Sequence, residues 1–315
     1  MALKTKLALP LVLSFSLIAA PVSASATSAA DDVLPDDAWR VFTPTTPWQV
    51  STDGESCAMV RGFKSGPRRG QAEIRRYSPD EVFELSVFVS EADLERNKLS
   101  FRFSPETEWH SGLPMFARSA QYGGFITNAH FDLPLEERDE EPDDQPAPGD
   151  EDYERVPVDP YKRAAMEKKA TGIWVRTGLG EPVLLKTGTM LGPMMQLRDC
   201  TDALLESWGY DAASYHAQKR HTAMRDGYKW IPYVQQHYPG QALRSGNNGL
   251  IRVRLAIDTE GRVTDCHPQS NLSGKEFYDA ACGVLKRQGR FYPAHDASGT
   301  PVASFYSLAI SYQLN

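Results

Sequence analysis

The chain has 315 residues, 41% of them hydrophobic and 24% charged, which is enough apolar content for packed cores and too much for a disordered polymer. Its formal net charge of −7 comes from one acidic stretch, residues 136–154, which hold 11 acids and a single Arg; the remainder is close to neutral, and no nucleic-acid partner is expected. The length allows two domains.

Residues 1–26 read as a targeting segment. Lys4 and Lys6 give a positive start, 7–20 is an apolar run, and Ala24-Ser25-Ala26 is a cleavage site of the A-x-A type. The rival reading is a retained membrane anchor. The run is interrupted by Pro10 and closed by Pro21, and it is shorter than the roughly 20 residues a spanning helix wants. Cleavage implies an exported chain, and retention a membrane-attached one. Residues 27–38 are small and acidic and read as a flexible lead.

A mainly β domain is expected over 39–208. Short β-rich runs recur at 48–50, 57–60, 72–74, 82–89, 99–103, 124–131, 172–176 and 182–186, divided by Gly, Pro or charged clusters. Many short strands at such spacing predict a sandwich or a barrel-like sheet. The acidic loop 136–155, broken by Pro142, Pro146, Pro148 and Gly149, interrupts it and cannot bury a core, so disorder is expected there. A basic, partly helical arm follows at 159–169. Residues 194–208 then read as a helix with Leu197, Cys200, Leu204 and Leu205 on one face.

Residues 209–235 read as a linker. Within it 212–224 has the pattern of a short helix, and 230–234 is an apolar connector. The last part opens on Gln236-His237-Tyr238-Pro239. From Leu250 to Ile257 apolar and polar residues alternate: Ile251, Val253, Leu255 and Ile257 against Arg252 and Arg254. Such alternation predicts a strand with one buried face. Asp258 to Gly261 is a turn, and 262–266 the return strand. Ser273 with Glu276 is a capping-box signal for a helix over 274–288 that Gly289 stops. Residues 302–314 form the final strand. The fold class is α+β: a small antiparallel sheet with one helix, preceded by the β domain with its C-terminal helix.

The cysteines are Cys57, Cys200, Cys266 and Cys282, an even number that favours disulfides in an oxidising compartment. Of three pairings, Cys266 at a strand end and Cys282 in the next helix can meet locally, which leaves Cys57 with Cys200. A zinc site is the rival, and it lacks any C-x-x-C pair.

In order, Tyr238-Pro239, Ala242, Gly249, the 251–257 strand, Asp258, Gly261-Arg262-Val263, Gly274, Phe277, Asp279-Ala280-Ala281, Arg290-Phe291, Pro293-Ala294, Gly299 and Pro301-Val302 form a spaced set. With this set, residues 236–315 resemble the C-terminal domain of the TonB energy transducers. The pair Cys266 and Cys282 departs from most such domains. The resemblance implies that the domain meets an extended segment, the TonB box of an outer-membrane receptor, by strand addition. It implies a receptor-facing segment of Gln235, Gln236, Tyr238 and Pro239, and an open edge beside it or on the strand 305–314. A homodimer through the same edge is the further expectation.

No catalytic constellation is present. G-x-S-x-G, the Walker A pattern, H-E-x-x-H and the dinucleotide fingerprint are all missing. Gly62 to Gly66 is a basic turn with no helix signal after it. His110 and His130 are single residues near strands, and His216 and His221 are five apart, wrong for one helical face. The chain is therefore expected not to be an enzyme and to need no cofactor, metal or small-molecule substrate. Two readings remain. One is a TonB-like binder taking part in TonB-dependent transport. The other is an envelope scaffold that binds peptidoglycan or protein without transducing energy. Residues 209–235 contain one Pro, so no long Pro-rich reach is present, and force transmission requires an anchored N-terminus.

Overall fold

The computed structural model describes residues 39–314, apart from 91–98, 107, 112–113, 119–120, 132–158, 178–180 and 271–272. The expected targeting segment, the lead and the whole of the acidic loop 136–155 lie outside these residues. The described chain mixes strands and helices.

The first part holds β1 (Arg40–Pro44), β2 (Gln49–Thr52), β3 (Cys57–Ser65), β4 (Arg68–Arg76), β5 (Phe83–Ser90), β6 (Leu99–Phe103), β7 (His110–Ser111), β8 (Met115–Arg118) and β9 (Tyr122–Ala129). It continues with α1 (Pro160–Lys169), β10 (Gly172–Thr177), β11 (Val183–Lys186) and α2 (Leu191–Ser207). One sheet runs β7-β6-β10-β11-β1-β3-β4-β5-β9-β8, with β2 paired to β3. Every pair is antiparallel except β1 with β11.

Alternation builds its core. Ala72 and Ile74 on β4 and Phe83, Leu85, Val87 and Val89 on β5 are all buried. Phe103 on β6 meets Phe83 on β5 with ring centroids 5.9 Å apart, and Phe101 meets Phe125 on β9 at 6.5 Å. These strands lie far apart in the sheet order, so the sheet doubles over its own apolar face. Among the described residues its end strands, β7 and β8, are not paired with each other. Helix α2 covers it through Met194, Leu197 and Leu204, and Cys200 is bonded to Cys57 on β3.

The second part holds α3 (Ala212–His216), β12 (Ala223–Met224), α4 (Gly227–Gln236), α5 (Gly240–Ser245), β13 (Gly249–Ile257) and β14 (Val263–Pro268). Then come α6 (Lys275–Gln288), β15 (Phe291–Tyr292), β16 (Ala294–His295), β17 (Pro301–Val302) and β18 (Ser304–Tyr312). The main sheet is β14-β13-β18, antiparallel throughout, while β12 pairs with β15 and β16 with β17. Ile251, Val253, Leu255 and Ile257 on β13 pack with Phe277, Ala281, Val284 and Leu285 of α6 in one core. Cys282 on α6 is bonded to Cys266 on β14. In the β13–β14 turn, Asp258 Oδ1 accepts from the backbone N–H of Glu260 and of Arg262, both at 2.9 Å. Gly261 closes that turn at φ +77, where a Cβ would stand 1.8 Å from the Phe291 carbonyl oxygen, so only glycine fits.

Several expectations change. Residues 209–235 are not an extended linker: they hold α3, β12 and α4. The helix expected over 212–224 ends at His216. The connector around Pro232 is helical, because Trp230 and Val234, four apart, are both buried and hold α4 onto the core despite the proline. Ser273 does not cap α6. Its Oγ accepts from the Leu250 N–H at 2.9 Å and donates to the Leu250 carbonyl at 2.8 Å, tying the helix start to β13 instead.

The largest difference concerns the second face of β13. Arg252 is half-buried and Arg254 is buried, and both meet the first part. Arg252 Nη2 lies 3.4 Å from Glu84 Oε2, with its guanidinium 4.2 Å over the Tyr77 ring. Arg254 Nη2 lies 3.3 Å from Glu55 Oε2, with its guanidinium 4.2 Å over Trp208. Gln269 is 2% exposed; its Nε2 donates to the Glu55 carbonyl at 3.2 Å and the Tyr77 carbonyl at 3.0 Å, and its Oε1 accepts from Ser307 Oγ at 2.7 Å. Phe305 on β18 sits among Trp208, Tyr210 and Tyr215 at 5.6, 5.2 and 5.3 Å.

The two disulfides close loops of very different length, with sequence separations of 143 and 16. Loop-closure entropy makes them worth about 5 and about 3 kcal/mol respectively. Replacing Cys57 and Cys200 by Ser is expected to lower the urea midpoint more than replacing Cys266 and Cys282. Equilibrium unfolding of both double variants checks the order.

Candidate functional site

With α6 on one face of the small sheet and the first part on the other, its edges are what remain. The β14 edge is guarded. Pro268 ends the strand, and Asp265 is held between Lys286 Nζ at 2.7 Å and His267 Nε2 at 3.0 Å. The hydrogen bond from Lys286, with that from the Cys266 N–H, keeps the Asp265 carboxyl below the usual carboxylate range. Charges, a proline and a disulfide on an edge strand are devices that discourage further pairing.

The β18 edge has none of these. Ser304 to Tyr312 reads Ser-Phe-Tyr-Ser-Leu-Ala-Ile-Ser-Tyr, with no charge and no proline. It pairs with β13 over its whole length, from Ser304 opposite Ile257 to Tyr312 opposite Gly249. Tyr210 Oη donates to the Ser304 carbonyl at 3.1 Å. Beyond that, among the described residues, no other element hydrogen-bonds to the backbone of residues 305–312. In an antiparallel ladder every second residue of an edge strand turns both its N–H and its C=O outward. Ala309, Ser311 and Gln313 are exposed, so the open part of the edge is its C-terminal half.

A pocket of about 500 Å³ opens at that end, lined by Pro232, Gln235, Gln236, Tyr238, Ser311, Tyr312 and Gln313. Helix α4 supplies one wall: its Trp230 and Val234 turn inward, which leaves Pro232, Gln235 and Gln236 on the outer side. Tyr238 supplies the floor. Its ring packs against Phe277 at 5.8 Å and Tyr312 at 5.5 Å, and its hydroxyl donates to the Asn247 carbonyl at 2.5 Å. No lining residue is charged. Tyr312 is 1% exposed, and its hydroxyl has no hydrogen-bond partner among the described residues. Burial pushes its phenol up to about 12, so it stays protonated and remains a donor.

Three of the four residues expected to face a partner, Gln235, Gln236 and Tyr238, thus line one pocket. Pro239 does not: it is buried and stands as the cap of α5. Ser311, Tyr312 and Gln313 belong to the strand 305–314 expected as an open edge, whereas Pro232 was expected only as part of an apolar connector. The signal for them was the uncharged, proline-free final strand together with Pro232, Gln235 and Gln236 at helical spacing.

Chemically, the site offers main-chain donors and acceptors and neutral side chains. Among the described residues no group of three or more His, Cys, Asp or Glu is placed to hold a metal ion, and all four cysteines are paired. His110 and His130 are not isolated: their rings lie 5.3 Å apart, and His110 stacks on Phe101 at 5.0 Å and contacts Glu106 at 3.2 Å. His216 contacts Asp202 at 2.9 Å, and His221 packs edge-on to Tyr215. No helix among the described residues is long and apolar enough to cross a membrane.

Comparison with known families matches residues 234–314 to the Gram-negative bacterial TonB protein C-terminal domain. No curated protein and no solved structure matches the chain.

The floor depends on Gly249, because a Cβ there would stand 2.7 Å from the Phe277 ring that supports Tyr238. Gly249→Ala is expected to cost about 1–3 kcal/mol by overpacking. Combining it with Phe277→Leu is expected to recover part of that loss, as read from urea midpoints.

Proposed function

We propose that this chain is a non-catalytic, TonB-like protein of the cell envelope. It binds an extended segment of a partner by strand addition to β18, and the partner it fits best is the TonB box of an outer-membrane receptor. The observation that carries this reading is the contrast between the two edges of the small sheet. One edge is closed by charge, proline and disulfide, while the other is neutral, open and ends in a pocket containing Gln235, Gln236 and Tyr238. The family match over 234–314 supports the same direction. Main-chain pairing along β18 supplies affinity, and the pocket supplies the choice of side chain. The buried Tyr312 hydroxyl, a donor without an acceptor among the described residues, suits a carbonyl or amide oxygen of the incoming segment.

In this reading the sheet is not a free module on a tether. It is sealed against the first part through Arg252, Arg254 and Gln269, so the binding edge and the β domain move as one body. The location that goes with it is the periplasm, reached by export, with the disulfides formed there.

The test is fluorescence anisotropy of a labelled TonB-box peptide with the full chain. Binding is expected. Ser311→Lys, which puts a charge on the exposed edge opposite the uncharged Leu250, and Gln235→Ala with Gln236→Ala, which strip the pocket wall, are each expected to weaken it about tenfold, or about 1.4 kcal/mol. All three side chains are exposed, so these variants keep the fold. Peptide affinity absent in the natural chain, or equal in all variants, overturns the reading. Binding to peptidoglycan in its place would favour the scaffold. A concentration-dependent dimer that the peptide dissolves would place a second copy on the same edge.

A further inference from the structure

The pairing pattern of β13 fixes which groups an incoming strand meets on β18. Leu250 donates its N–H to Ser273 Oγ at 2.9 Å and accepts from the same hydroxyl at 2.8 Å, and the Arg252 carbonyl accepts from the Gln269 N–H at 2.7 Å. Both residues thus turn their main-chain groups away from β18. Their partners across the ladder, Ser311 and Ala309, therefore turn their own N–H and C=O outward, to the open edge. A strand added there bonds to Ala309 and Ser311. Its residues beside Ile310 and Tyr312 project to the same face of the sheet as those two, because the side chains of neighbouring strands alternate together. That is the face of α6, since Ile310 and Tyr312 are buried in one core with Phe277. The residue beside Tyr312 thus enters the pocket between β18 and α4.

The chemistry of the pocket narrows what that residue is. Its rim carries three exposed carboxamides, Gln235, Gln236 and Gln313, and none of them hydrogen-bonds to another described residue. Each has two N–H donors and a carbonyl acceptor. The floor is the half-buried ring of Tyr238, with Pro232 beside it. A carboxylate or an ammonium that enters here sheds water and meets no opposite charge on any lining residue, which costs free energy. An aliphatic side chain covers carboxamides that it cannot satisfy. A hydroxyl offers one donor only. A second carboxamide is neutral, flat enough to lie on the Tyr238 ring, and meets donor with acceptor and acceptor with donor.

We infer that the segment bound at β18 is selected by a carboxamide side chain, Gln or Asn, which lies beside Tyr312 and is held by Gln235, Gln236 and Gln313. The inference rests on strand addition at β18 and adds a rule of choice to it. Main-chain pairing along Ala309 and Ser311 accepts any extended segment, whereas the carboxamide rim discriminates among them by one residue.

The test is fluorescence anisotropy of the full chain with a labelled TonB-box peptide in which each position in turn is Gln, Asn, Glu, Lys or Leu. Gln, Glu and Leu are similar in size, so the set separates charge from hydrogen bonding. At one position a carboxamide is expected to bind about tenfold tighter than Glu, Lys and Leu, as one or two neutral hydrogen bonds allow. In the double variant Gln235→Leu, Gln236→Leu that ratio is expected to fall to about twofold, because Gln313 alone remains. Both replaced side chains are exposed, so the fold is kept, and a ratio between peptides cancels any change in overall affinity. Absence of binding by every peptide overturns strand addition and this inference with it. Binding in which no position prefers a carboxamide overturns the inference alone and leaves strand addition in place. A carboxamide preference that survives the double variant does the same.

Discussion

The arrangement depends on the burial of the polar face of β13. Arg252 and Arg254 carry their charge into contact with Glu84 and Glu55, and their guanidinium planes lie over Tyr77 and Trp208. Arg254 is only 7% exposed. A guanidinium can be buried in this way because it stacks on an aromatic face while its edge still meets a carboxylate. Such pairs add little net stability, but breaking one strands a charge, so they fix how the two parts fit more than how strongly they hold. Gln269 completes the joint by satisfying two carbonyls of the first part and one hydroxyl of β18 at once.

Once both faces of the three-stranded sheet are covered, its chemistry is confined to its edges. A sheet edge is a row of unmet backbone donors and acceptors, and a protein must either block it or use it. Here the two solutions occur on one sheet. Strand β14 is blocked by Pro268, by the Asp265 ion pairs and by the bond to α6. Strand β18 is left neutral, and the aromatic stack of Tyr238, Phe277 and Tyr312 shapes a pocket at its end. Gly249 is the small residue that lets that stack close.

The folded sheet of the first part has a different role. Its core is separate from that of the small sheet and contains Phe83, Phe101, Phe103 and Phe125, with the Cys57–Cys200 bridge tying α2 to β3. It covers the small sheet through Glu55, Glu84, Tyr77 and Trp208.

Much of this was legible in the residues. Period-two runs marked most of the longer strands, because alternation follows from the pleat itself. Helix α6 was marked by Phe277, Ala281, Val284 and Leu285, and the Asp258–Gly261 turn by a glycine no other residue can replace. Gln235, Gln236 and Tyr238 were named through the family resemblance. Other features depend on partners distant in the chain. Nothing near Arg254 announces Glu55, 199 residues away, so an alternating strand reads as half solvated when it is covered on both sides. Helix α4 contains a proline and was read as a connector, because what sustains it is the packing of Trp230 and Val234 against residues that follow it. Pairing of Ser273 with Leu250 rather than with its own helix is decided in the same way. Most of the longer strands, helix α6, the Gly261 turn and the even set of cysteines are legible in the residues, because these rest on local sterics and on composition. Only the tertiary structure decided which sheet face is sealed, which edge stays open and which side chains share the pocket, because those outcomes are set by contacts that close long loops.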